Sequence, residues 1–125
     1  MAANAKNFLQ QPEHPRKASL AEAAVLLPAS DTVPRSAAVF RHGSLLVKLF
    51  SPRGKDLQGP HRQDELYVVA KGTGWFVNGA ERVRFAVNDV LFVPAGVTHR
   101  FEEFSDDLMV WVMFYGPDGG ESTVC

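Results

Sequence analysis

The sequence contains very little cysteine and no long hydrophobic run. Its one cysteine, Cys125, is the last residue, so neither a disulfide framework nor a CxxC metal or redox pair can form within the chain. No stretch approaches the roughly 20 apolar residues that cross a bilayer. Residues 1–17 also lack the apolar segment of a secretory signal. We therefore expect a cytoplasmic protein with no membrane partner.

Neither sign of charge dominates the composition. The chain has 13 Lys and Arg against 14 Asp and Glu, a formal net charge of -1. Because binding to nucleic acid or to an anionic membrane needs an excess of basic side chains, we expect no nucleic-acid partner. With 125 residues, 46% of them hydrophobic and 22% charged, the chain has the length and composition of one folded domain.

The N-terminal part of the chain is predicted to carry a single short helix. Residues 1–17 are polar and contain two prolines, which favours an extended arm. Ser19 is followed three residues later by Glu22, just before an apolar run. This capping-box pattern predicts a helix from about Leu20 to Leu27, which Pro28 ends.

From Ser36 onward the pattern becomes that of β-strands. Short segments rich in valine, leucine and aromatic residues follow one another, separated by Gly, Pro, Asn and Asp. Asn78-Gly79 predicts a tight hairpin. We therefore predict an all-β, single-domain antiparallel barrel or double-sheet sandwich. The expected organisation is an arm and helix over 1–35, a barrel over 36–116 and a flexible tail over 117–125.

Two segments contain the residues that can carry chemistry. The first is GPHRQDELYVVAKG, residues 59–72, and the second is NDVLFVPAGVTH, residues 88–99. Together they resemble the two motifs of the cupin superfamily, G-x5-H-x-H-x3-E-x6-G and G-x5-P-x-G-x2-H-x3-N. The resemblance covers roughly residues 36–115 and implies a small single-domain cupin, whose fold is a jelly-roll barrel of the double-stranded β-helix type.

In the first motif His61 stands at the second histidine and Glu65 at the glutamate, and in the second motif His99 stands at the histidine. The sequence departs from the family pattern at four positions. Gly59 replaces the first histidine, Asn88 the glycine of the second motif and Glu103 its final asparagine, and Gly54 is one residue too close to Gly59.

The chemistry follows from the residues as well. His61, Gln63 and Glu65 are spaced by two, so an extended backbone would point them to one face. With His99 from a neighbouring strand, two imidazoles and a carboxylate would converge, the set that holds Fe(II) with open positions. Zn, Mn or Ni could use the same donors. We expect one divalent ion per chain bound by His61, Glu65 and His99, with Gln58, Gln63 and Asp56 as candidates for an extra ligand or a substrate contact.

Three functions remain open, and the third, a storage or structural cupin, is disfavoured by so short a single-barrel chain. In the first, the chain is a metal-dependent enzyme that acts on a small molecule, as a dioxygenase, isomerase or lyase, although no catalytic residue can be assigned. In the second, it is a non-catalytic small-molecule-binding module with a degenerate or absent metal site, which the missing histidine at Gly59 favours. The segment from Leu108 to Tyr115 is apolar on both faces, which predicts a homodimer.

Overall fold

The structure, a computed structural model, describes residues 16–29 and 34–123. Almost all of the predicted arm, with His14, lies outside the described residues, and so does Cys125. Within the described part of the chain, no helix is long and apolar enough to cross a membrane.

The predicted helix is present and begins where the capping box places it. Helix α1 spans Leu20–Val25. The Glu22 amide donates to Ser19 Oγ at 3.0 Å, and the Ser19 amide donates to Glu22 Oε1 at 2.8 Å. The helix ends two residues before the predicted boundary, because the Leu26 amide already closes the last turn on the carbonyl of Ala23. This early end leaves a helix of less than two turns.

The described residues after the helix form two antiparallel sheets. The strands are β1 Ser36–His42, β2 Leu45–Phe50, β3 Asp64–Lys71, β4 Gly74–Asn78, β5 Glu81–Phe85, β6 Val90–Val93, β7 His99–Glu102 and β8 Met109–Tyr115. One sheet has the order β1-β2-β8-β3-β6 and the other β5-β4-β7. The all-β prediction is therefore confirmed.

The core lies between the two sheets, and half of its buried residues are aromatic. The side chains of Tyr67 and Phe76 come from opposite sheets and meet edge to face at 5.5 Å between ring centroids, and Phe101 packs against both. Such ring contacts add to the burial of apolar area, which is the main stabilising contribution. Ala23 and Leu49 are fully buried but lie outside this core cluster. Helix α1, which contains Ala23, contacts β1.

The β4–β5 hairpin forms, shifted by one residue from the prediction. Asn78 still pairs with Glu81, so the two connecting residues are Gly79 and Ala80. Gly79 has φ +61°, whereas Asn78 remains in the strand, where its Nδ2 donates to the carbonyl of Phe92. Asn78 thus links the hairpin to β6 through its side chain, and it does not adopt the left-handed backbone conformation of a turn residue.

The start of the C-terminal tail is held by hydrogen bonds. The Gly119 amide donates to the carbonyl of Arg62 at 2.7 Å, and the Glu121 amide donates to Asp64 Oδ2 at 2.8 Å. These bonds connect the start of the tail to the residues that lead into β3. The flexibility expected of residues 117–125 stays a prediction. Residues 124 and 125 lie outside the described part.

Candidate metal centre

The two motifs bring their side chains together from both sheets. His61 lies in the segment that leads into β3, and Glu65 is the second residue of that strand. His99 is the first residue of β7, in the other sheet. The segments around them are hydrogen-bonded directly, since the Gly96 amide donates to the carbonyl of His61 at 2.7 Å. The Pro-Ala-Gly turn therefore holds the two motifs side by side.

Asp64 strengthens the same junction from the outside. Its Oδ1 accepts from the Ala95 amide at 2.9 Å, and its Oδ2 accepts from the Glu121 amide. These two hydrogen bonds hold the pKa of the Asp64 carboxyl below its ordinary value, the Glu121 amide contributing most. Asp64 is thus a positioning residue. Its carboxylate connects the first motif to the second motif at Ala95 and to the C-terminal segment at Glu121.

The three donor side chains converge closely. His99 Nε2 lies 3.1 Å from Glu65 Oε1, and His61 Nε2 lies 3.5 Å from the same oxygen. One ligand atom from each of the three residues lies within 4.8 Å of the others. Ligand atoms about 2.1 Å from a common ion, at angles of 90–110°, are separated by roughly 3.0–3.4 Å. The spacing of the cluster therefore fits a single divalent ion.

The same donor atoms lack hydrogen-bond partners. Glu65 and His99 are 1% and 2% exposed. Among the described residues, the buried side-chain nitrogen and oxygen atoms without a hydrogen-bond partner are His61 Nε2, both carboxylate oxygens of Glu65, and His99 Nε2. Because an unpaired buried polar atom is costly, its retention in a native structure requires a reason. Their concentration at one point fits a metal site.

The ring of His99 is oriented for metal binding. Its Nδ1 lies 2.9 Å from the carbonyl oxygen of Val97. A carbonyl oxygen can only accept, so Nδ1 carries a proton, and when the ring is neutral its Nε2 lone pair faces Glu65. Burial disfavours a charged His99, but Glu65 and the Val97 carbonyl favour it more, so the pKa of His99 is above its ordinary value. A cation is therefore favoured between this nitrogen and the carboxylate.

His61 is the more open of the two imidazoles. Its side chain is 26% exposed and packs edge-on against Phe114, 4.6 Å between ring centroids. Burial lowers the pKa of His61 below its ordinary value, Glu65 opposes this, and the charges of His99 and Lys48 lower it further. His61 is thus held neutral, the form in which an imidazole binds a metal.

The structure does not bring the predicted additional residues into this cluster. Asp56 is buried, and its oxygens accept from the amides of Gln58 and Phe101 and from Gln58 Nε2. Gln58 Oε1 in turn accepts from the hydroxyl of Tyr67 at 3.0 Å. Asp56 and Gln58 therefore form a hydrogen-bonded network beside the three donors, in which each holds the other.

Gln63 also lies apart from the donors. The backbone bends at residues 62–63, and β3 begins only at Asp64. Gln63 Nε2 donates to the carbonyls of Ser44 and Gly116. The even spacing of His61, Gln63 and Glu65 therefore does not place Gln63 beside the other two, because the segment that precedes the strand is not extended.

A cavity of about 240 Å³ opens beside the cluster. His61, Glu65, Gln58 and Gly59 line it. A Cβ atom built on Gly59 would have no heavy atom within 4 Å, and Gly59 does not have a left-handed φ. The position where the family pattern has a histidine therefore faces open space.

Lys48 is a cavity residue that the sequence analysis missed. It lies in β2 and lines the same cavity as His61 and Glu65. The signal was present as a single lysine within the apolar run SLLVKLF. Sequence alternation alone did not reveal which face of that strand is turned inward.

Two departures from the family pattern fall at left-handed backbone positions. Asn88, in place of the motif glycine, has φ +76°, and Glu103, in place of the motif asparagine, has φ +47°. Asparagine tolerates this conformation better than most residues other than glycine. Asn88 thus preserves the turn before β6, whereas Glu103 adopts an unfavourable backbone conformation while its carboxylate pairs with Arg82 at 2.7 Å.

Comparisons with known structures support the fold. The plu4264 protein from Photorhabdus luminescens is 13% identical, with a TM-score of 0.63 over 82% of this chain and 87% of that chain. A cupin 2 conserved barrel domain protein from Salinispora arenicola CNS-205 is 15% identical, with a TM-score of 0.62 over 82% of this chain and 89% of that chain. At such identities the likeness concerns the fold alone.

Sequence comparison reaches the same family. A stretch of 63 residues, 50% of this chain, is 44% identical to the uncharacterised protein SCO3923 of Streptomyces coelicolor. The chain spans 60% of the length of that relative. The family model described as "Cupin domain" matches residues 48–115, more than half of the chain and both motifs. This chain therefore belongs to the cupin family.

Proposed function

We propose that this cupin holds one divalent metal ion through His61, Glu65 and His99 and binds a small molecule at that ion. The observation that carries the proposal is the set of buried donor atoms without hydrogen-bond partners on these three residues. Two imidazole nitrogens and a carboxylate suit Fe, Mn, Ni or Zn. A site with three protein ligands leaves coordination positions for a ligand oxygen or water.

The surrounding residues fix the donors and limit the access of water. The Val97 carbonyl holds the His99 ring, and Phe114 packs against the ring of His61. Burial and the nearby Glu65 carboxylate raise the pKa of Tyr67 well above its ordinary value. Its hydroxyl therefore stays protonated and acts as a donor, here to Gln58. When bound, a divalent ion supplies Lewis acidity that polarises a ligand oxygen.

We propose as the finer function a metal-dependent reaction of a small molecule, of dioxygenase, isomerase or lyase type. The cavity beside the donors, about 240 Å³, supports a small substrate. It is smaller than the roughly 300–1,000 Å³ of pockets for drug-sized ligands. The fold by itself does not select among these reactions, because one fold hosts many activities.

A second candidate is a binding module without turnover. The observation that favours it is Gly59, which leaves the site one imidazole short of the family pattern. In addition, the Tyr67 hydroxyl beside the donors is fixed as a hydrogen-bond donor and is not available as a base. Under this proposal the protein binds the metal and the small molecule and releases the molecule unchanged.

Elemental analysis tests the metal site. Purified full-length protein should carry close to one divalent ion per chain, and the His61→Ala variant should lose most of it. His42→Ala is the matched control, because His42 lies at the end of β1 and outside the donor cluster. A wild-type protein that is free of metal and also refuses added Fe, Mn, Ni and Zn would contradict the proposal, as would full metal retention by His61→Ala.

We also propose that the chain forms a homodimer through the outer face of the larger sheet. The register pairs Leu66 with Phe92 and Met113, and Val68 with Val90 and Trp111, all on the face opposite Glu65. Phe92 and Val90 are 47% and 63% exposed. A continuous apolar sheet face is typical of an interface. Sedimentation at micromolar concentration should show a dimer, and a single species of 13.7 kDa would contradict this.

A further inference from the structure

Lys48 is placed on the inner face of the barrel by the register of its strand. It lies opposite Val112 of β8 and Ala38 of β1. Val112 is part of the buried core, and Phe50, two residues along β2, belongs to the same core. Because alternate residues of a strand share a face, Lys48 is turned toward the interior while the rest of that inner row is apolar.

The side chain of Lys48 lines the cavity that contains the donor cluster. It shares this cavity with His61 and Glu65, and Phe50 and Phe114 contribute apolar walls. The Lys48 side chain and the candidate metal site therefore line one cavity.

No carboxylate of the described residues lies within ion-pair distance of the Lys48 ammonium group. The ion pairs in the part of the chain that the structure describes involve other cations, and Glu65 is paired with the two histidines. The oxygens of Asp56 accept from Gln58 and Phe101. Lys48 is partly buried as a residue, and a charge that leaves water is stabilised by an opposite charge beside it.

We infer that Lys48 binds the negatively charged group of a small carboxylate ligand that occupies this cavity next to the metal site. The inference rests on the proposed function and adds to it the charge class of the ligand and the residue that selects it. A charge-assisted hydrogen bond from Lys48 would hold one carboxylate, and the apolar walls would contact the body of the ligand. Lys48 is a specificity-determining residue, separate from the three metal donors.

The cavity favours a carboxylate over a phosphate. Lys48 is the one Lys or Arg among its described lining residues. A phosphate carries up to two charges and is typically bound by several cationic or amide donors. A single ammonium between apolar walls matches a single negative charge on a compact, partly apolar molecule.

The test compares two probes of the same shape and different charge. Binding of 4-fluorobenzoate and of the neutral 4-fluorobenzamide to full-length protein is measured by fluorine NMR, with and without saturating Ni²⁺. The variants are Lys48→Met, which keeps the length and removes the charge, and Lys48→Arg, which keeps the charge. Lys71→Met is the matched control, because Lys71 is exposed at the end of β3.

We expect Lys48→Met to lose affinity for the carboxylate but not for the amide. Wild type should bind the carboxylate at least about tenfold more tightly than the amide, and Lys48→Met should lose about tenfold or more of the carboxylate affinity while amide affinity stays unchanged. Lys48→Arg should retain most of the carboxylate binding, and Lys71→Met should behave as wild type. Equal carboxylate binding by wild type and Lys48→Met would overturn the inference and would indicate a lysine that extends to solvent. Tighter binding of inorganic phosphate than of 4-fluorobenzoate would also overturn it.

Failure of the metal site would be recognised separately. A calorimetric titration with Ni²⁺ alone reports whether the donor cluster binds metal, and Lys48→Met should bind the ion at least as tightly as wild type because one nearby positive charge is removed. If wild type refuses the ion, the proposed function fails. The comparison of carboxylate and amide in metal-free wild type and Lys48→Met still decides the role of Lys48.

Discussion

Two buried carboxylates in this barrel have opposite surroundings. Asp56, which is 8% exposed, accepts hydrogen bonds from the amides of Gln58 and Phe101 and from the Gln58 side chain. Glu65, which is more deeply buried, has two oxygens without a hydrogen-bond partner and two imidazoles beside them. Burial alone therefore does not distinguish a structural carboxylate from a functional one.

The difference lies in what surrounds each oxygen. The hydrogen bonds to Asp56 come in part from backbone amides, which cannot move away without disturbing the fold. These bonds therefore stabilise the folded state. In the Glu65 cluster, carboxylate oxygens and imidazole nitrogens that could bind a metal have no hydrogen-bond partner. This lowers the stability of the fold unless a cation binds there. Tyr67 stands between the two regions, with its hydroxyl bonded to Gln58 and its ring in the core. A substitution in one region can therefore be made while metal binding and stability report on both regions.

The largest effect is expected from Glu65→Gln. Loss of the carboxylate charge should weaken the binding of a divalent ion by about a hundredfold or more. The metal-free variant should melt no lower than wild type, because an uncharged amide replaces a buried carboxylate whose two oxygens have no hydrogen-bond partner. Calorimetric titration with Ni²⁺ and melting in the presence of a chelator measure the two quantities, with the exposed Glu81→Gln as control. Undiminished Ni²⁺ affinity would remove Glu65 from the ligand set.

The opposite result is expected from Asp56→Asn. An amide nitrogen in place of one oxygen would face a backbone or side-chain donor, and the lost hydrogen bond should cost about 1–3 kcal/mol of unfolding free energy. The metal content of the folded variant should stay unchanged. Denaturant unfolding and elemental analysis provide the readouts, and the exposed Asp107→Asn serves as control. A stable variant that loses its metal would instead make Asp56 a ligand.

The vacant side of the donor cluster can be filled by Gly59→His. The space around Gly59 allows a side chain, and Pro60 restricts the backbone there. A fourth donor should tighten metal binding by about tenfold, or about 1.4 kcal/mol, and should reduce access for bidentate ligands. Gly59→Ala separates the effect of the imidazole from that of a Cβ atom. Equal metal affinities for wild type and correctly folded Gly59→His would refute the open-site interpretation.

The smallest effect is expected from Tyr67→Phe, at the boundary of the two regions. Gln58 Oε1 would lose its donor, and the unfolding free energy should fall by about 0.5–1.5 kcal/mol. Metal affinity should change much less than in Glu65→Gln, because the hydroxyl donates to Gln58 Oε1 and the carboxylate itself is retained. Tyr115→Phe is the control. A metal-affinity loss as large as that of Glu65→Gln would show that the hydroxyl serves Glu65 instead.

Much of this protein followed from short stretches of sequence. The Ser19 and Glu22 pattern begins a helix because both capping hydrogen bonds join residues three apart. The β4–β5 hairpin formed with a shift of one residue, because strand pairing extended to Asn78. The histidine and glutamate spacing of the two motifs indicated which side chains converge. These features depend on neighbours along the chain or on a pattern that the whole family shares.

Only the tertiary structure decided how the remaining polar residues are used. The amide of Gln63 turns to the carbonyls of Ser44 and Gly116, and Asp56 accepts from Phe101, far away in the sequence. The inward direction of Lys48 depends on its register with β8. The sequence by itself determined which residues could act as metal ligands, because residue type and spacing along the chain can be read from it directly. Which polar groups are satisfied and which are left free was decided by contacts between distant segments, because a hydrogen bond across the fold has no local sequence signal.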